Sequence, residues 1–267
     1  MQYPEFVELL EERAFGMLDS LFSKTLPKHI ESSVPIRAYP TIISLECRHD
    51  NNWRTIEFPE YKATRKLAPR MCITRPAYGH LQKLITTEPR FMNEFNLLPI
   101  SCEIAEGDDI IAALYSHIQA KHKVLVAMDR DFLQIENVNM IDLYGNPKLL
   151  TESFKLHERG YALTTKQYKL LKILIGDGAD NISAVFPGNG IIRCLKKYVS
   201  NVEFLKEALA KDSAAAMQFK RNVTLMDFAR IPEHVTSQII ATYEKEIAKY
   251  DLTNISSTEP VFDYTLL

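Results

Sequence analysis

The chain has 267 residues, 46% of them hydrophobic and 25% charged, and its formal net charge is −2. This length supports one large domain or two small ones, and the near-neutral charge argues against a general nucleic-acid coat. No apolar run approaches the roughly 18 residues of a membrane span, and the N-terminus lacks a signal-peptide pattern. The four cysteines form no C-x-x-C pair, which predicts neither a zinc knuckle nor a disulfide framework and favours a reducing, cytoplasmic setting.

The first half of the chain alternates between strand and helix patterns. Helices are predicted at 4–30, ending near Pro27, at 79–86 and at 106–122. Strands are predicted at 41–47, 123–129 and 138–144. The remainder of 67–100 holds four prolines and is expected to be an irregular excursion. The alternation predicts an α/β layer with a parallel sheet.

The second half has a helical character. A helical pattern at 164–176 ends at Gly176, and residues 176–190 contain four of the nine glycines in the chain. Helical patterns then return, and no strand pattern is obvious after about residue 150. These features predict an α/β domain over 1–150 and a helical domain over 151–267.

Carboxylates gather at the ends of three predicted elements. They are Glu106, Asp108 and Asp109 at a helix start, Asp129 and Asp131 after a strand, and Asp177 and Asp180 in the glycine-rich turn. Ligands of parallel α/β sheets bind beyond the carboxyl ends of strands. Alternation along an extended chain puts Asp129 and Asp131 on the same side, where they repel unless a cation or proton lies between them.

Each cluster has an ordinary explanation, namely a helix cap, a solvated loop or a tight turn. Together they favour a site for hard divalent cations such as Mg²⁺ or Mn²⁺, which prefer oxygen ligands. Two such ions about 4 Å apart suit phosphodiester hydrolysis. The charge distribution agrees, since residues 48–90 hold nine Lys/Arg against four Asp/Glu, whereas 102–136 hold three against seven.

The ordered motifs EGDDIIAAL, AMDRDFLQI and LIGDGADNISAVFPGNG resemble the 5′-nuclease, or flap endonuclease, superfamily. WRTIEFPEYKATRK resembles a further motif of that family, and FKRNVTLMDFARIP is similar to its phage-type (T-even) ribonuclease H branch. The resemblance covers about residues 40–235. It implies a PIN-like core with a parallel central sheet, a helical arch or clamp over about 60–100, and a helical C-terminal domain with a helix–three-turn–helix over 165–198.

The resemblance also implies roles for single residues. The seven carboxylates match the family's metal carboxylates, some directly and others through water, and Glu46 stands where the family has an aspartate. Tyr61, Lys62 and Arg65 match the foot of the arch, where a lysine and an arginine lean over the scissile phosphate. The alternative for Lys62 and Arg65 is a solvated basic surface.

In the helix–three-turn–helix, the resemblance implies that backbone amides of the loop from 180 to 190 face duplex phosphates, often with a bound K⁺. Gly188 and Gly190 lie in this loop, and Lys196 and Lys197 are candidates for further phosphate contacts. A surface lysine pair is as often merely solvated.

One structural element that the resemblance leads us to expect is missing from the sequence pattern. The family begins with a strand that ends in a metal-binding aspartate, whereas this chain begins with a predicted helix in which Asp19 is a poor substitute. Two interpretations are a reading frame that starts late and a truncated chain.

The implied function is a metal-dependent, structure-specific 5′-3′ exonuclease and flap endonuclease with ribonuclease H activity. The implied partners are flapped or branched duplex DNA, RNA–DNA hybrids, and a replication clamp or single-strand-binding protein, in the host cytoplasm if a phage encodes the chain. One alternative, motivated by the missing aspartate and by Glu46, is a junction-binding protein without chemistry. A PIN-like toxin ribonuclease is a third, against which the glycine-rich turn and the helical second domain speak.

Overall fold

The structure is a computed structural model that describes residues 3–30, 36–38, 40–47, 49–63, 71–120, 123–146, 154–156, 161–249 and 263–266. Arg65 lies outside these residues. The helices are α1 (Tyr3–Ser20), α2 (Trp53–Glu57), α3 (Met71–Thr87), α4 (Pro89–Phe95), α5 (Gly107–His117), α6 (Thr165–Ile175), α7 (Ile191–Cys194), α8 (Val202–Lys211), α9 (Ser213–Met226) and α10 (Glu233–Ile247). The strands are β1 (Thr41–Leu45), β2 (Leu97–Ser101), β3 (Lys123–Val126), β4 (Met140–Ile141), β5 (Phe154–Leu156), β6 (Tyr161–Leu163) and β7 (Asp263–Leu266).

Five of the strands form one parallel sheet in the order β2-β1-β7-β3-β4. The predicted α/β fold with a parallel sheet is therefore confirmed. Alternate residues of the strands face opposite sides, and helices cover both. Phe91 and Phe95 of α4 pack with Val124 on one face, whereas Ile110 of α5 packs with Ile239 of α10 on the other.

The expectation of an irregular excursion over 67–100 is wrong for the residues that the structure describes from 71 onward. Helix α3 contains the helix predicted at 79–86 but begins at Met71, and α4 and β2 follow it in that segment. Strand β2 includes Pro99, which has no amide hydrogen to donate. The strand tolerates this proline because it lies at the edge of the sheet and pairs only with β1 among the described strands.

The expectation that no strand follows residue 150 is also wrong. Strands β5 and β6 form an antiparallel hairpin, and β7 lies inside the parallel sheet between β1 and β3. The described residues before Thr41 contain only helical segments and turns, so the N-terminal strand expected of the family is missing from them. Strand β7, which comes from the C-terminal part of the chain, lies between β1 and β3.

The second half of the chain builds a core of its own from α6 to α9. Leu171 and Leu174 of α6 pack against Leu195, Tyr198 and Leu205. Helix α10 instead packs against α5 and β2 in the first half, and the domain boundary near residue 150 stays a prediction. None of the helices in the described part of the chain is long and apolar enough to cross a membrane.

Candidate metal centre

The amino terminus of α5 holds the tightest group of carboxylates that the structure describes. Glu106 is the N-cap residue, and its side chain and that of Asp109 complete a reciprocal capping box. One ligand atom each from Glu106, Asp108 and Asp109 lies within 4.8 Å of the others. The sequence EGDD therefore both starts the helix and concentrates negative charge at its positive end.

The pKa values of Asp108 and Glu106 are shifted in opposite directions within this cluster. Burial, followed by the charge of Asp109, raises the pKa of Asp108 well above its usual value. Burial by itself also raises the pKa of Glu106, but the ammonium of Lys62 and the guanidinium of Arg54 outweigh it and lower that pKa overall. The Oδ1 atom of Asp108 is enclosed and has no hydrogen-bond partner among the described residues.

Two of the predicted arch residues reach this cluster. The hydroxyl of Tyr61 donates to Glu106 Oε2 at 2.9 Å and lies 3.4 Å from Asp180 Oδ2. The Lys62 ammonium pairs with Glu106 and lies 3.9 Å from Asp180 Oδ2. Lys62 has a φ of 56°, and its N–H donates to the Asp180 carbonyl at 2.8 Å. The structure thus brings Tyr61, Lys62 and Asp180 together with the start of α5.

Asp109 is held by residues that the sequence did not single out. Arg54 donates from Nη1 to Asp109 Oδ2 and from Nη2 to Asp109 Oδ1, each at 2.7 Å. The indole Nε1 of Trp53 donates to Asp109 Oδ2 at 3.0 Å. Both residues belong to the WRTIEFPEY motif, but a guanidinium turned inward cannot be distinguished from a surface arginine by sequence alone.

Glu46 directly follows β1, and its carboxylate is desolvated by its neighbours although part of the residue remains exposed. Its pKa is raised by desolvation and then by the charge of Glu106, while Lys62 and the backbone N–H of Gly107 lower it. The pKa of Glu46 therefore responds to the charges of Glu106 and Lys62. Its role as a metal ligand stays a prediction.

Lys172 of α6 joins a second group of carboxylates. Its ammonium lies 2.9 Å from Asp131 Oδ1 and 3.8 Å from Asp177 Oδ2. Burial raises the pKa of Asp131, and the charge of Lys172 only partly reverses that rise. Lys172 thus lies between two carboxylates for which a shared cation was predicted. The sequence alone did not indicate this position of Lys172.

The expected extended conformation holds at Asp129, which has φ −72° and ψ 125°, but is wrong at Asp131, which lies in a helical turn. Asp129 caps a 3-10 helix over Arg130–Gln134, and its side chain accepts from the N–H of Asp131 at 2.8 Å. A side chain that accepts from the backbone two residues on stabilises a turn and competes with the extended strand. The two aspartates stay close because of this turn, not because of strand alternation.

The glycine-rich segment forms the turn predicted between two helices. Gly176 has a φ of 69°, and a Cβ added there would lie 2.4 Å from the Ile182 carbonyl oxygen. Asp177 and Ile182 form an antiparallel bridge across this turn. Lys196 is exposed, whereas the Lys197 ammonium lies over the Phe204 ring at 5.1 Å from its centroid. A phosphate-binding role for Gly188, Gly190, Lys196 and Lys197 stays a prediction.

The α5 cluster is chemically suited to a divalent cation. Its candidate ligands are carboxylate oxygens, which hard divalent cations prefer. A buried carboxylate oxygen with no partner costs free energy unless a proton or a cation satisfies it, and Asp108 Oδ1 is such an atom. The residues present therefore fit a metal ion, with Asp108 Oδ1 as an oxygen that such an ion would satisfy.

The sequence from residue 20 to 164 matches the family described as 5′-3′ exonuclease, N-terminal resolvase-like domain. This match covers more than half of the chain. The chain belongs to the 5′-3′ exonuclease family. That membership makes it a 5′-3′ nuclease by family and confirms its resemblance to the 5′-nuclease superfamily. No curated protein sequence was found to match the chain.

Solved structures of a bacteriophage T5 exonuclease share the fold of this family member. A T5 protein co-crystallised with metal ions is similar with a TM-score of 0.59 at 16% identity, over 88% of this chain and 91% of that one. The T5 5′-exonuclease with bound zinc gives a TM-score of 0.58 at 16% identity, over 90% and 91%. A complex of T5 flap endonuclease with DNA and metal ions gives 0.54 at 17% identity, over 88% and 92%.

Proposed function

We propose that this member of the 5′-3′ exonuclease family is a divalent-metal-dependent, structure-specific nuclease. Its proposed substrates are 5′ flaps of duplex DNA and RNA primers paired with DNA, and its proposed products carry a 5′-phosphate and a 3′-hydroxyl. The observation that carries the proposal is an enclosed oxygen of Asp108 beside Glu106 at the start of α5, which has no hydrogen-bond partner in the described part of the chain. The phage T5 relatives, solved with metal ions and in one case with DNA, support the same classes of ligand.

Two groups of side chains are the proposed metal ligands, with Mg²⁺ or Mn²⁺ as the proposed ions. The first group is Glu106, Asp108 and Asp180, with Glu46 at its margin. The second is Asp129, Asp131 and Asp177. When bound, such cations supply the positive charge that activates water and stabilises the oxygen that leaves. A K⁺ ion at the turn from 180 to 190 is a further prediction.

The side chains at the arch foot have complementary tasks in the proposed reaction. Tyr61 fixes one oxygen of Glu106 by donating to it, which leaves the other oxygen to Lys62. The Lys62 ammonium is the more accessible cation of the cluster, since its side chain is 14% exposed whereas that of Arg54 is 3% exposed. Turned toward a bound phosphodiester, it offsets the negative charge that develops in the transition state. Arg65 is proposed to assist it.

The turn between α6 and α7 is the proposed duplex contact. Gly188 and Gly190 lie in this turn and the exposed Lys196 follows α7; they are proposed to offer backbone amides and an ammonium to phosphates. Contacts of this kind position a duplex without reading its sequence, as a structure-specific nuclease requires. A replication clamp or single-strand-binding protein as a partner stays a prediction.

The experiment compares three labelled substrates, namely a 5′-flap duplex, a blunt duplex and an RNA primer annealed to DNA. Each is incubated with the protein in Mg²⁺, in Mn²⁺ or in EDTA. We expect cleavage of the flap and of the RNA primer in either metal and none in EDTA. Tight flap binding in Ca²⁺ without turnover in Mg²⁺ or Mn²⁺ would instead support a junction-binding protein without chemistry.

A further inference from the structure

Arg54 is a buried cation whose three side-chain nitrogens all donate hydrogen bonds. Nη1 and Nη2 donate to carboxylates at the start of α5, and Nε donates to a carbonyl of α9. Arg54 is 2% exposed, and its guanidinium lies over the Trp53 ring at 4.5 Å from the centroid. Besides the paired bonds to Asp109, its Nη1 donates to Glu106 Oε2 at 3.2 Å, and its Nε donates to the Leu225 carbonyl at 2.8 Å. A planar guanidinium can serve all these acceptors at once, and an ammonium cannot.

The two neighbouring aspartates of the cluster differ in what is left for a cation. An ionised carboxylate offers about four lone-pair sites. Asp109 is 0% exposed and receives four donors, two from Arg54, one from Trp53 and one from the Glu106 backbone N–H. Asp108 instead keeps one oxygen enclosed and without a partner among the described residues. Three of the four donors converge on Asp109 Oδ2 and the fourth meets Oδ1, so both oxygens of Asp109 are engaged, whereas Oδ1 of Asp108 is not.

We infer that Asp109 does not ligate the metal ion, and that Arg54 and Asp109 form a buried pair that positions Glu106 for it. The inference rests on the proposed metal-dependent function and departs from the ligand role that the family resemblance implies for Asp109. Arg54 neutralises Asp109 and holds one oxygen of Glu106, so the charge available to a cation is that of Asp108 and Glu106. Arg54 is thus a positioning residue, not a catalytic one.

The same arginine ties the metal centre to the helical second half. Leu225 belongs to the last turn of α9, where helix carbonyls lack partners within the helix and carry partial negative charge. The guanidinium satisfies one of these carbonyls and the Asp109 carboxylate together. The position of Glu106 therefore depends on the docking of α9 as well as on α5.

The ligand part is tested with Mn²⁺ alone, by calorimetric titration of the full chain. Asp108→Asn is expected to weaken Mn²⁺ binding by about 100-fold or more. The charge-balanced double variant Arg54→Met/Asp109→Asn is expected to stay within about tenfold of wild type, because no ligand is lost. Equal loss in the two variants would overturn the inference. Absence of Mn²⁺ binding by the wild type would contradict the proposed function itself and so is a separate outcome.

The positioning part is tested with Arg54→Lys, which keeps the charge but loses the fork of donors. We expect its cleavage of a 5′ flap at saturating Mn²⁺ to fall about tenfold after correction for the folded fraction. A merely structural arginine would lower the melting temperature and leave the corrected rate at the wild-type value, and that result would overturn the positioning role. This variant also keeps the inference testable if the double variant does not fold.

Discussion

At the scale of single residues, two lysines lie among the carboxylates that are proposed to bind metal ions. Lys172 lies between Asp131 and Asp177, and Lys62 pairs with Glu106. Like charges held this close require a compensating positive charge. The lysines supply it in the metal-free chain and thereby stabilise an acidic site that would otherwise oppose folding.

Lys172→Met removes that internal compensation. We expect the metal-free variant to lose about 1 kcal/mol of stability, and Mg²⁺ to raise its melting temperature more than it raises that of the wild type. The second effect follows because an ion that no longer competes with an ammonium binds the folded state more tightly. Thermal melts in EDTA and in Mg²⁺ measure both effects. Lys166→Met, on the same helix with its side chain 84% exposed, is the control, and an equal Mg²⁺ shift in all three proteins would refute the competition.

Lys196 provides the second prediction at this scale. If it contacts a phosphate, Lys196→Ala weakens flap binding and lowers the slope of log Kd against log salt by about one unit. Binding is measured in Ca²⁺ at several salt concentrations. The control is Lys211→Ala, which removes an exposed lysine at the end of α8. This variant should leave the slope unchanged. The same slope for Lys196→Ala and wild type would remove Lys196 from the duplex contact.

At the scale of elements, the turn after α6 depends on one backbone conformation. Gly176 combines a left-handed φ with a neighbouring carbonyl that leaves no room for a Cβ. Gly176→Ala is expected to cost about 2–3 kcal/mol. In contrast, Gly190→Ala should change stability by no more than about 1 kcal/mol, since nothing lies within 4 Å of an added Cβ and φ is −74°. Urea denaturation measures both, and equal stabilities of the two variants would contradict the account of the turn.

The elements that the sequence predicted correctly are those whose pattern is local. Helix α5 has an apolar stripe and acidic N-terminal residues, and β3 is a short buried run, so both were found. Helix α3 was predicted only over 79–86, since Pro76 marks a break in the local pattern. Helix α4 and strand β2, which contains Pro99, were missed. Tertiary packing decides there, as Phe91 and Phe95 of α4 show by being fully buried.

The residues of the candidate site were likewise predicted only where their signal is local in the sequence. The acidic residues were recognised because three clusters of like charge at element ends are visible in the sequence itself. Arg54 and Lys172 were missed because Asp109 lies 55 residues from Arg54 and Asp131 lies 41 residues from Lys172 in the chain. Only the folded structure shows that Arg54 donates to both oxygens of Asp109 and that Lys172 bridges Asp131 and Asp177.

At the scale of the whole molecule, the sheet joins a C-terminal strand to strands from the first half of the chain. Strand β7 lies between β1 and β3, and these two strands lead to Glu46 and Asp129. Neighbouring strands lie about 4.8 Å apart, so β7 sets the spacing between the two sides of the site. The C-terminal strand is thus part of the framework of the metal centre.

Thr265→Pro tests that arrangement. Within an internal strand a proline removes a ladder hydrogen bond and costs about 3 kcal/mol or more. Thr265 pairs with Leu125 of β3. Pro99→Ala on the edge strand is the matched control and should change stability by less than about 1 kcal/mol. If chemical denaturation gives Thr265→Pro the stability of the wild type, β7 does not complete the sheet.

The central claim is that a divalent cation held at Asp108 and Glu106 makes this chain a nuclease. The most direct measurement is the single-turnover cleavage rate of a labelled 5′ flap in Mg²⁺ by wild type, Asp108→Asn and Asp50→Asn. Asp50 is an exposed aspartate outside the proposed site. We predict that Asp108→Asn loses about 100-fold or more of the rate while remaining folded, and that Asp50→Asn keeps it. Equal rates for Asp108→Asn and wild type would contradict the claim.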